Sequence, residues 1–150
     1  MNHFRKLAVL TLMLVGFMSH RQPIAAAEVR WTHSPEQAIQ AAHSTGRLII
    51  VSVGANWCHY CKEMDRDVWK HPAIAKIIAE EYVPLKLTDE QHQELIETMQ
   101  IKGYPATLIF TQDRQLVTRM DGYISAEKLA NTMRAIRLSR QRSPQSSTAR

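Results

Sequence analysis

The stretch that most constrains this chain is RLIIVSVGANWCHYCKEM, Arg47 to Met64, which sets its two cysteines, Cys58 and Cys61, directly behind an apolar run. Leu48 to Val53 is almost continuous in β-branched and aliphatic residues, the pattern of a strand covered on both faces. Helical spacing resumes after Cys58, so this cysteine stands where a strand ends and a helix begins. The first turn of a helix offers free N–H groups and the positive end of the helix dipole, and both stabilise a thiolate. The thiolate is the species that attacks disulfides. Cys61 falls one turn later, expected on the same side and deeper, where it can attack a mixed disulfide formed at Cys58. His59 and Tyr60 lie between the sulfurs. A protonated His59 favours the thiolate and makes the disulfide more oxidising; a plain exposed loop role is the alternative.

The same pair admits other chemistry. Structural zinc needs two more ligands, and His33, His43, His71 and His92 show no paired ligand spacing. No metal site is therefore expected. Copper held by two thiolates and a histidine is chemically sound, so a metallochaperone or binding module is the alternative function. An inert staple gains little chain entropy from so short a loop. No nucleotide or flavin motif is visible, and no cofactor is expected beyond a Cys58–Cys61 disulfide.

The ends of the chain suggest where it works. Arg5 and Lys6 precede an apolar run from Leu7 to Met18, and Ala25 and Ala27 follow. This is the layout of a secretory signal over residues 1–27, cleaved after Ala27. The run is short for a span of about 20 residues, so no membrane span is expected after cleavage. No cysteine near the cut offers a lipid attachment point. A periplasmic or secreted location follows. The formal charge of +5 sits at the ends, with Arg5, Lys6 and Arg21 before the body and Arg140, Arg142 and Arg150 after it. A nearly neutral body argues against nucleic-acid binding. Residues 139–150 are basic and poor in apolar side chains, and read as a disordered tail. The domain is expected over 28–138, as a monomer.

Between these ends strands and helices alternate. Ser34, Pro35 and Gln37 open a helix that Gly46 closes. Pro72 marks a break before a helix carrying Ile74, Ile77 and Ile78. Tyr82 to Leu87 is a strand, with Pro84 arguing for its start or an edge. Thr88 or Asp89 caps the next helix. PATLIFT and QLVTRMDGY form an antiparallel hairpin, and Ser125 caps a last helix with Leu129, Met133 and Ile136 on one face. The order predicts an α/β domain with a central mixed sheet of four to five strands and helices on both faces.

NWCHYCK and GYPATLIF, Gly103 to Phe110, together resemble the thioredoxin superfamily. The first looks like its W-C-x-x-C-K segment and the second like its Gly-x-Pro-Thr signature. CKEMDRDVWKHPAIAKII is similar to the C-terminal domain of DsbD-type exported reductases. The resemblance implies a thioredoxin fold, a cis bond at Tyr104–Pro105, and exchange with protein thiols and disulfides, fed by an upstream redox partner. It implies reduction or exchange rather than net oxidation. Cys58 and Cys61 would be catalytic, and Trp57, His59, Tyr60, Tyr104 and Pro105 would line the substrate groove. The chain departs from the pattern at Ser52, where the family carries a buried Asp that moves a proton; its companion lysine is matched by Lys86. Glu63 and Asp65 are other carboxylates able to take that proton. Gly54 replaces the family's usual aromatic.

Overall fold

The computed structural model describes residues 28–142; residues 1–27, where a signal is expected, and residues 143–150 of the expected tail lie outside the described residues. Helix α1 spans Pro35–Thr45. The Ser34 side chain accepts from the Gln37 N–H at its start, and Gly46, at φ 68°, ends it. A left-handed stop of this kind suits glycine. Strand β1 is Leu48–Gly54, buried at every residue. Helix α2, His59–Met64, runs into a wider π-helical turn at Asp65–Trp69. Helix α3 is Pro72–Glu81, strand β2 Tyr82–Thr88 and helix α4 Asp89–Thr98. Strands β3, Ala106–Phe110, and β4, Leu116–Asp121, form the hairpin, and α5 spans Ala126–Arg142.

The four strands lie in the order β2-β1-β3-β4, with β1 parallel to β2 and antiparallel to β3. The pleat of β1 divides the core in two, because successive strand side chains point to opposite faces. Ile49, Val51 and Val53 pack with Ala38 and Ala42 of α1 and Ile96 of α4. Leu48 and Ile50 pack with Met64, Val68 and Trp69, and with α3 and α5 through Ile74, Ile78, Leu129 and Met133. Helices therefore cover both faces of the mixed sheet, as the sequence predicts.

Pro84 lies inside β2, and β2 is an edge strand of the sheet. Its outer rim is met by the N-terminal segment: Thr32 N–H donates to the Pro84 carbonyl and Lys86 N–H to the Thr32 carbonyl. The Pro84 nitrogen falls on that outer side, where no ladder rung is lost.

One boundary needs correction. The sequence ends the domain at Leu138 and assigns 139–142 to a disordered tail, but α5 continues through Arg142. No helix breaker precedes Pro144, and Arg140 and Arg142 sit where the negative end of the helix dipole favours cations.

Candidate active site

The end of β1 and the start of α2 place the two sulfurs. Cys58 is the N-cap of α2, and its Sγ accepts from the Cys61 N–H at 3.1 Å. The backbone donor that stabilises a Cys58 thiolate is thus in place. Cys58 and Cys61 are joined as a disulfide, with Cα atoms 5.3 Å apart. The expected depths are reversed. Cys58 is 4% exposed, whereas Cys61 is half-buried. A Cβ built at Gly54 would lie 3.1 Å from Cys61 Sγ, so this sulfur packs against the bare, buried backbone at the end of β1.

Pro105 is buried and its bond to Tyr104 is cis. Its carbonyl accepts from Gly122 N–H, which fastens the loop to the end of β4. Around the disulfide stand exposed aromatic rings. Trp57 is 71% and Tyr60 57% exposed. Trp57 meets Tyr104 edge-on at 5.8 Å. Tyr60 faces Tyr123 at 6.4 Å. Tyr123 was not singled out from the sequence; the only signal was an aromatic directly after Gly122. His59 is exposed and its Nε2 lies 3.3 Å from Glu63 Oε1, one turn along.

The Tyr104 hydroxyl donates to Asp89 Oδ1 at 2.6 Å. Burial first, then this hydrogen bond, pushes the Tyr104 phenol up to about 12. Glu90, the next residue, accepts from the Asn56 N–H at 2.8 Å. The sequence marks Asp89 only as a helix cap and does not mark Glu90 or Asn56 at all, since acids at a helix start already have a local explanation in the dipole and Asn56 contributes only its backbone N–H.

Beneath α2 runs a polar row across the sheet. Ser52 lies opposite Lys86 on β2 and Thr107 on β3. Thr107 Oγ1 is buried with no hydrogen-bond partner among the described residues. Lys86 Nζ pairs with Asp65 Oδ1 at 2.6 Å. Asp65 is the residue four after Cys61, one turn further along, and its backbone N–H donates to the Cys61 carbonyl. Asp65 and Lys86 also line a cavity of about 250 Å³ with Trp31 and Trp69, which opens the pair to water. Among the described residues no group of three or more His, Cys, Asp or Glu is placed to hold a metal ion.

A C-x-x-C disulfide capping a helix, a cis proline and this four-stranded mixed sheet define a thioredoxin-fold dithiol protein. Residues 30–112 match the family described as thioredoxin-like. The chain belongs to that family. It is 28% identical over 127 residues to the thiol:disulfide interchange protein DsbD of Ralstonia nicotianae, covering 81% of this chain and 21% of that protein. Thioredoxin-1 of Drosophila melanogaster is 29% identical over 92 residues, 61% of this chain and 81% of the relative. The chain thus spans about a fifth of the length of the DsbD it matches. In structure it is similar to a thioredoxin from Thermus thermophilus, with a TM-score of 0.67, 20% identity and coverage of 75% of this chain and 89% of the other. A structure described as DsbH oxidoreductase gives a TM-score of 0.63 at 18% identity, covering 81% and 93%. Family, fold and dithiol together place the chain among the thioredoxin-superfamily thiol–disulfide oxidoreductases.

Proposed function

We propose that this protein is exported through segment 1–27 and works outside the cytoplasm as a monomeric reductase or exchanger of protein disulfides. The observation that carries this is the Cys58–Cys61 disulfide at the start of α2 beside Pro105. The Cys58 thiolate attacks a substrate disulfide. A Cys58–substrate disulfide forms and one substrate thiolate leaves. The Cys61 thiolate then attacks Cys58 Sγ, which closes the Cys58–Cys61 disulfide and releases the second substrate thiolate. Two electrons pass to the substrate, and a reduced partner dithiol restores the pair. The likeness to DsbD favours this direction. Measuring the reduction potential tests it: a value near −270 mV supports a reductase, and one near −120 mV sinks that reading.

For Cys61 to attack, its thiol must lose a proton, and Ser52 has no carboxylate to take it. Asp65, one turn after Cys61 and paired with Lys86, fills that role in this proposal. Asp65→Asn is expected to slow closure of the Cys58–Cys61 disulfide by about ten- to a hundredfold, within the usual range for one acid–base group. Rapid acid quenching of the mixed disulfide measures that step directly. An unchanged rate would remove Asp65 from the mechanism.

A further inference from the structure

We infer that Asp89 and Glu90, the first turn of α4, are positioning residues that brace both walls of the aromatic groove and so set its fit to polypeptide disulfides. This rests on the exchange activity proposed above. The two walls come from different loops. One is Asn56–Trp57, ahead of Cys58, where both residues are exposed. The other is Tyr104, between α4 and β3, at the cis bond. The exposed Asn56–Trp57 segment has little packing and takes its position from its hydrogen bonds, whereas Tyr104 is half-buried against the core and its hydroxyl is fixed by a hydrogen bond.

Both sets of bonds lead to the same helix turn. Glu90 Oε1 holds the Asn56 N–H at 2.8 Å, and Asp89 Oδ1 holds the Tyr104 hydroxyl at 2.6 Å. The Trp57 and Tyr104 rings then meet edge-on at 5.8 Å, completing a ring of contacts from α4 through both loops. Neither carboxylate forms an ion pair with a Lys, Arg or His among the described residues. Their bonds to the two loops are to neutral donors. The turn is itself fixed. Thr88 N–H donates to His92 Nδ1, and His92 Nε2 lies 2.9 Å from the His33 carbonyl. His92 leaves helical geometry, at φ −134°, to do so.

A polypeptide threading past the disulfide touches both walls, whereas a small disulfide touches only the sulfurs. Losing the brace therefore weakens polypeptide binding and spares the sulfur chemistry. The test uses insulin and hydroxyethyl disulfide as substrates of the full chain, with Asp89→Ala and Glu90→Ala. The expected result is a five- to twentyfold rise in KM for insulin, with kcat and the rate toward hydroxyethyl disulfide changed less than twofold. Asp89→Asn, which keeps an acceptor oxygen, should recover most of the loss. Tyr104→Phe should raise the insulin KM as much as Asp89→Ala does, and the double variant should raise it no further, the signature of one shared bond. An unchanged KM, an equal loss on both substrates, or additive effects of Tyr104→Phe and Asp89→Ala would each overturn the brace. A wild-type protein inert toward both substrates would instead overturn the exchange activity on which it rests.

Discussion

Cys61→Ser is expected to turn the protein from a catalyst into a trap. Cys58 keeps its place at the start of α2, where the backbone N–H of residue 61 still reaches its sulfur. The first attack therefore proceeds, but no second thiol releases the product. A covalent adduct with the disulfide-bearing partner should accumulate, visible on a non-reducing gel and lost on adding reductant. Turnover should fall by at least about a thousandfold, as expected when the nucleophile of an obligatory covalent step is removed. Cys58→Ser should abolish turnover as fully but give no adduct, since Cys61 sits past the capping position. Adducts formed equally by both variants would refute the division of labour between the two sulfurs.

Trp69→Ala carries the largest expected cost in stability. Trp69 is 4% exposed and closes the π-helical turn after α2. It packs with Val68, Ile74 and Ile78, and meets Trp31 edge-on at 5.1 Å. Truncating a buried tryptophan costs about 3–5 kcal/mol in lost transfer energy and cavity. For a domain of this size that corresponds to a melting point lower by roughly 10–20 °C. Calorimetry of the oxidised protein would read it. A fall of less than about 1 kcal/mol would mean that the active-site helix does not lean on this core.

The elements that local chemistry dictates were legible in the sequence. Ser34, Pro35 and Gly46 mark both ends of α1, and the run from Leu48 announces a strand buried on two faces. What escaped depends on the relation between distant elements. The π-helical turn at Asp65–Trp69 widens one turn only, too little to disturb an apolar pattern, yet it helps set where Asp65 stands. Asp65 meets Lys86 because of that turn and because β2 lies beside β1 in one particular register. Neither is written in the residues around Asp65. The relative exposure of the cysteines is hidden for a similar reason: spacing puts Cys61 one turn into the helix, but what packs against its sulfur is Gly54, at the end of another element. Tyr123 joins the groove only because the end of β4 returns beside Pro105.

The short bridge at Thr32 bears on how copies of this protein behave together when concentrated. It blocks the middle of the β2 rim, while β4, the other edge strand, has no pairing on its outer side among the described residues, and Leu116 and Val117 are exposed along it. A second copy must displace the bridge to pair along β2 but not along β4, so edge-to-edge contact at high concentration favours β4.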